Sequence, residues 1–336
     1  MNELLRFGLS LSPVLLFLTL LIFIDSYKLI RLRDILATIF VGCAIAGLSL
    51  YANSFLIATL NIELPDYSKY VSPFVEELFK ASYLIYLITA NRVGFMVDAA
   101  IYGFAVGAGF ALVENIYYLY SLHSTNTMLW IIRGFGTAVM HGGTTAIFGI
   151  IAKNLSERQA HLRSLNFFLG FIAAFALHAI FNHFILPPLM TTVSLLILLP
   201  LLILLVFEKS EQATRNWLGI GFDTDMELLK MLTSGKISDT KVGEYFESIR
   251  NKFPGTIVAD MLCLLRIHLE LSLRAKGDML KRQIGFKVSL NPDVSAKFAE
   301  LKYLEKNIGK TGKTTLLPFL HTSSQDLWQF YRLEKE

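Results

Sequence analysis

A few ionisable side chains sit inside stretches that are otherwise apolar, where charge is costly and marks either function or a buried partner. Glu76, Glu77 and Lys80 share one such stretch; Asp98, Glu114 and Asn115 lie in the next, Arg133 and His141 in a third, and His178, Asn182 and His183 in a fourth. Carboxylates beside imidazoles can do two kinds of chemistry. They can hold a divalent metal through nitrogen and oxygen, with one acid left as general base. Alternatively, a glutamate activates water directly, while a histidine and an asparagine donate to the oxyanion of an amide under attack. Both routes are hydrolytic, and a peptide bond in a membrane-associated protein is the natural substrate. The chain has neither a His-Glu-x-x-His zinc helix nor a Gly-x-Ser-x-Gly element. A proton-coupled membrane transporter using the same carboxylates and histidines as a relay is the competing reading.

Spacing brings these groups together. With successive helices running in alternate directions, Glu76, Glu77, Glu114, His141 and His178 fall within a slab ~10 Å thick, from the membrane midplane outward. Glu76 and Lys80 are i,i+4, so the lysine is expected to partner that acid while Glu77 points along a neighbouring face. His141, Thr145 and Gly149 share one helix face, as do His178 and Asn182. Gly103 and Gly107 are four residues apart, with Gly109, Gly142 and Gly143 also present. Such small residues let helices approach closely around a buried polar site. Asp98 and Arg133 lie near helix ends and read as interfacial or structural. His183 is expected to face elsewhere, and His123, His161, His268 and His321 are given no role.

The elements that position these residues follow from composition. The 336 residues are 54% hydrophobic and 17% charged, against about 25% charged in globular domains. Up to Phe207 there are 11 Lys/Arg and 10 Asp/Glu, whereas from Glu208 onward there are 20 and 17. Residues 1–207 therefore read as a transmembrane domain and 208–336 as a soluble, mostly helical one. A single globular fold, a secreted disulfide scaffold and a disordered chain are excluded. Cys43 and Cys263 are expected as thiols. The net charge of +4 is dispersed and points to no nucleic-acid partner.

Seven stretches, roughly 7–25, 35–58, 71–90, 95–120, 128–152, 165–186 and 188–207, are long and apolar enough to span ~30 Å. The expected fold class is all-α, a polytopic membrane protein with about seven transmembrane helices and a C-terminal cytoplasmic helical domain. Lys28, Arg31 and Arg33 follow the first stretch, Arg92 the third, and Lys153, Arg158 and Arg163 the fifth. The intervening loops are poor in basic residues. The positive-inside rule then puts the N-terminus outside and the C-terminus in the cytoplasm. In the C-terminal part, Asn291-Pro292-Asp293 is expected to start a helix and Gly309 to stop one. Ile257–Leu273 reads as the core helix of a small bundle. Gly309–Thr314 lacks the glycine that a phosphate loop needs five residues before its Gly-Lys-Thr, and is expected as a basic loop.

Four motifs occur in order, each on an expected membrane helix: Glu76-Glu77-x-x-Lys80, Phe110-x-x-x-Glu114-Asn115, His141-x-x-x-Thr145-x-x-x-Gly149 and His178-x-x-x-Asn182. Together they resemble the PrsW family of intramembrane proteases, related to the CAAX prenyl protease and bacteriocin-processing superfamily. The resemblance covers about residues 70–185. It implies a multi-pass peptidase of the bacterial cytoplasmic membrane, typified by cleavage of membrane-bound anti-sigma factors. Its partners would be a membrane-anchored protein substrate and the lipid bilayer. It also implies that Glu76 and Glu77 carry water activation, supported by Glu114, His141, His178 and Asn182. Glu114 stands where the wider superfamily has a histidine. Two alternatives therefore stay open: a divalent metal, with zinc as the candidate and Glu114, His141 and His178 as its ligands, or glutamate chemistry without metal.

Overall fold

Apolar runs bounded by polar or proline-containing breaks become helices, and no strand is present among the described residues. The structure is a computed structural model that describes residues 3–25, 27, 29–122, 124, 126–158, 163–234, 237, 240–286, 292–320 and 323–335. Lys28, His123, His161, Asn291 and His321 lie outside them. The first seven long helices are α1 (Glu3–Ile24), α2 (Leu32–Leu60), α3 (Ser72–Thr89), α4 (Met96–Ser121), α5 (Ala138–Arg158), α6 (Arg163–Asn182) and α7 (Pro188–Thr233). Two stretches of π-helix, Tyr67–Val71 and Ile132–Thr137, run directly into α3 and α5. The protein is an all-α polytopic membrane protein.

One expectation is corrected below. By length and composition, six described helices are apolar enough to cross a membrane. The one left out is α3, which carries Glu76, Glu77 and Lys80 within 18 residues. The seventh stretch, expected to end near 207, continues as α7 to Thr233. Glutamate and lysine are good helix formers, so the arrival of charge at Glu208 ends the apolar run but not the helix.

The chain divides into two compact units, Met1–Glu211 and Gln212–Glu336. In the first, α4 is the central helix, with every residue from Val97 to Ala111 buried. Its N-terminus is closed by Asp98, whose Oδ2 accepts the backbone N–H groups of Gly94 (2.9 Å) and Phe95 (3.0 Å). Around it, Val14, Leu18, Ile35, Phe104, Val139, Leu199 and Ile203 form an apolar core. Phe40, Leu48 and Phe55 on α2, and Leu198, Leu201 and Leu205 on α7, are exposed, as a lipid-facing surface requires. Lipid is as apolar as leucine, so helix association here rests on close packing and interhelical hydrogen bonds. Close packing is acute between α4 and α5, which carries His141. A Cβ placed on Gly107 would lie 2.1 Å from the carbonyl oxygen of His141, and one on Gly103 2.5 Å from that of Thr145.

The second unit contains α8 (Lys241–Ile249), α9 (Gly255–Gln283), α10 (Pro292–Leu316) and α11 (Ser324–Lys335). The core stretch expected at Ile257–Leu273 lies within α9, which buries Met261, Leu264, Leu265 and Leu271 against Phe298, Leu304 and Leu316 of α10 and Leu333 of α11. At its centre Lys276 Nζ and Ser272 Oγ both donate to Asp225 Oδ2, each at 2.6 Å, and Gln329 Nε2 donates to Ser272 Oγ at 3.1 Å. Gly309 interrupts α10 with φ 65° and ψ −174°. The residues after it, expected as a loop, resume a helix to Leu316, since only the glycine itself leaves helical backbone space.

Substitution of Gly107 by alanine should force α4 from α5 at the carbonyl of His141 and lower stability by about 1–3 kcal/mol. Gly47→Ala, whose Cβ meets nothing within 4 Å, should show no loss. Thermal unfolding of the two variants in detergent checks the difference, and equal melting temperatures would remove the close-packing account.

Candidate active site

Helices α3, α4, α5 and α6 each deliver part of one polar cluster. On α3, Pro73 occupies the first turn, where a missing N–H does no harm. One turn further on, Glu77 points inward. Its Oε1 is the acceptor for three groups: Lys80 Nζ (2.5 Å), His178 Nδ1 (2.8 Å) and Thr144 Oγ1 (3.1 Å). A carboxylate can only accept, so His178 Nδ1 carries a proton and donates to Glu77. Lys80 is fully buried at 0% exposure. It reaches His141 Nδ1 at 3.2 Å and lies 4.8 Å from the centre of the Phe110 ring. An ammonium can only donate, so His141 Nδ1 accepts and its Nε2–H points to Glu114 Oε2 at 2.8 Å. The far oxygen of Glu114, Oε1, is 3.3 Å from Arg133 Nη2. One chain of polar contacts thus runs Arg133, Glu114, His141, Lys80, Glu77, His178.

Glu76 faces a different way from Glu77. Its Oε1 accepts from Ser72 Oγ (2.5 Å) and Asn53 Nδ2 (3.4 Å), and Tyr67 Oη in turn donates to Asn53 Oδ1 (2.8 Å). Its Oε2 is 3.9 Å from His178 Nε2, the ring nitrogen that Glu77 does not hold. The lysine expected to partner Glu76 at i,i+4 therefore pairs with Glu77 at i,i+3 instead. Glu77 is turned toward α5 and α6, where the other donors are, whereas Glu76 is turned toward α2.

Of the residues singled out in the sequence, Glu76, Glu77, Glu114, His141 and His178 come together. Asn182 is tied elsewhere: its Nδ2 donates to the carbonyl of Ser68 in the first π-stretch at 2.9 Å. Thr145 bonds back to the carbonyl of His141 (2.9 Å), and it is the adjacent Thr144 that reaches Glu77. His183 Nδ1 donates to the Ala179 carbonyl (2.6 Å), and the ring packs edge-on against Tyr70. Arg133, read as interfacial, belongs to the cluster. Asn53, Ser72 and Tyr67 escaped notice because hydroxyls and amides are common in apolar helices. Asn53, inside a long apolar run, was the one legible signal.

A family model of PrsW family intramembrane metalloproteases matches residues 31–206, more than half of the chain. The chain belongs to the PrsW family. No curated protein and no solved structure gives a significant match. Membership makes this PrsW-family chain an intramembrane peptidase by class, acting on a membrane protein within a lipid bilayer.

The metal implied by the family's description can be tested against the donors present. Glu76, His141 and His178 each offer one ligand atom, all within 4.8 Å of one another. Two imidazoles and a carboxylate are a known set for a catalytic divalent ion. His178 has the usual supporting contact of such a ligand, a carboxylate on its other ring nitrogen. The residues fit. Glu114, expected as a ligand, lies beside this group on His141 Nε2; for His141 to ligate through Nε2 its proton would have to move to Nδ1, at the expense of the contact that Nδ1 accepts from Lys80.

Breaking the buried pair should be strongly destabilising. Lys80→Met leaves Glu77 without its cation in an apolar interior, an expected loss of about 3–5 kcal/mol. The double variant Lys80→Met/Glu77→Gln should recover much of it. Unfolding in detergent measures both, and a single variant as stable as the parent would dismiss the pair as a structural anchor.

Proposed function

We propose that this chain is an intramembrane endopeptidase whose water-activating group is Glu76, with residues 1–207 as the protease domain and 208–336 as a cytoplasmic helical domain. The observation that carries the reading is a charge imbalance. Lys80 pairs with Glu77 and Arg133 with Glu114, while no lysine or arginine among the described residues pairs with Glu76. Glu76 is the site carboxylate left without a basic partner, and its Oε2 lies 3.9 Å from His178 Nε2.

The residues then divide the work. A water lying between Glu76 Oε2 and a neutral His178 Nε2 donates to both; Glu76 takes its proton as the oxygen attacks the scissile carbonyl and returns it to the amide nitrogen as the C–N bond breaks and the amine departs. Glu77 stays behind His178 and fixes its tautomer through Nδ1–H, so it orients rather than reacts. Glu114 and His141 border the same space and help to hold the site's protons. A divalent ion bound by Glu76, His141 and His178 would supply Lewis-acid polarisation at that point. Asn182 secures the end of α6 to the turn that leads into α3. The substrate class is a membrane-anchored protein, with a membrane-bound anti-sigma factor as the candidate the family resemblance suggests. The setting is the bacterial cytoplasmic membrane, with the N-terminus outside and the C-terminus in the cytoplasm.

Purified protein incubated with candidate single-span substrates should yield new peptide termini by mass spectrometry. Glu76→Gln should reduce cleavage by about 100-fold or more without a change in melting temperature. Full activity in that variant would sink the reading. Metal analysis and chelation complete the test: cleavage lost with a chelator and restored by zinc assigns the metal. Cleavage that persists in metal-free protein assigns water activation to Glu76 alone.

A further inference from the structure

Arg133 has the contacts of a residue built to hold Glu114 rather than to sit at a membrane interface. Its guanidinium is used on three sides. Nη2 lies 3.3 Å from Glu114 Oε1, Nε donates to Asn115 Oδ1 at 3.1 Å, and the guanidinium carbon is 3.7 Å from the centre of the Tyr118 ring. The Nη2 contact to Glu114 is an ion pair without hydrogen-bond alignment, while the Nε bond to Asn115 and the Tyr118 face hold the guanidinium plane in place beside it. The backbone that carries it is fixed as well. Arg133 lies in the π-stretch Ile132–Thr137, and Asn115 Nδ2 donates to the Ser10 carbonyl of α1 at 2.8 Å. The neighbouring Gly134 packs so tightly on α1 that a Cβ there would lie 1.8 Å from the Leu9 carbonyl oxygen. Single π-turns inside helices occur frequently at functional sites.

We propose that Arg133 is a positioning residue of the peptidase site, which clamps one oxygen of Glu114 so that the other is presented to His141 Nε2. Its role in turnover rests on the peptidase reading, but its role in setting the Glu114–His141 contact does not. Without the clamp Glu114 is free to rotate about its side-chain torsions, and the contact to His141 is no longer imposed. Arg133→Lys keeps the charge but gives up the fork to Glu114 and Asn115, and so should restore the effect only in part.

The test reads His141 first. In ¹⁵N-histidine-labelled protein in detergent, with the His141 signal assigned through His141→Gln, Arg133→Ala should move that signal in the same direction as Glu114→Gln. Arg133→Lys should move it less, and it serves as the second variant should Arg133→Ala fail to reach the parent's melting temperature. A His141 signal unmoved in both Arg133 variants, while Glu114→Gln shifts it, would overturn the proposal whether or not cleavage is detected. In the cleavage assay, Arg133→Ala should lower kcat about 10-fold or more with KM little changed. Added guanidinium should restore part of it. The double variant with Glu114→Gln should be no worse than Glu114→Gln alone, and multiplicative losses would also overturn the proposal. Absence of cleavage in the parent protein is a failure of the proposed function, which the His141 signal separates from a failure here.

Discussion

The burial of Lys80 is the constraint on which the rest of the site depends. An ammonium with no exposure to solvent, in a helix surrounded by apolar neighbours, is stable only if every donor direction is used. Glu77 neutralises it, His141 Nδ1 accepts a second hydrogen bond, and the face of Phe110 covers a third side. Those partners come from three helices, α3, α4 and α5, and Glu77 adds a fourth through His178 of α6. Satisfying one lysine therefore sets the relative positions of all the elements that carry chemistry. The ring protons nearest the pair follow as well: His141 Nδ1 accepts from the lysine and His178 Nδ1 donates to the glutamate.

This arrangement needs helix axes closer than leucine-sized side chains allow. The glycines of α4 provide that proximity where His141 and Thr145 pass, and the carbonyl of His141 rests where a Cβ would otherwise be. The two levels are coupled. The polar network supplies the directional bonds that apolar packing in lipid lacks, and the small residues bring its members within hydrogen-bonding range.

Much of this was legible in the sequence because charge is scarce there. Glu76, Glu77, Lys80, Glu114, His141 and His178 stood out against apolar surroundings, and a constant rise per residue sufficed to place them at one depth. The angular arrangement was less legible. Lys80 is three residues from Glu77 and four from Glu76, and helical spacing permits either pair. The choice was made by the tertiary neighbours His178 and Thr144, which lie about a hundred residues and about seventy residues further along the chain. Arg133 was left between an interfacial and a structural role because it stands near a helix end; its partner Glu114 lies on another helix, so the pairing is set by tertiary packing that spacing along one helix does not show. The continuation of α7 to Thr233 was missed because hydropathy marks where an apolar run ends, which is not the same as where hydrogen bonding along a helix ends.

The two carboxylates nearest the open side of the cluster are handled in parallel ways. Glu76 has one oxygen held from behind by Ser72 and Asn53 and the other directed to His178, and Glu114 has one oxygen held by Arg133 and the other directed to His141. In each case a π-stretch lies just ahead of a helix that contributes to the site, with Tyr67 in the first and Arg133 in the second. The difference between them is electrostatic. Glu76 is held by neutral donors and has no lysine or arginine partner among the described residues. Glu114 is held by a guanidinium that offsets its charge. A carboxylate at 114 needs such a counter-ion to stay ionised, because an isolated anion within an apolar bundle is unstable. Glu114 and the inward placement of Arg133 therefore complement each other, and by the same rule Glu76 is the carboxylate whose charge a bound cation would satisfy.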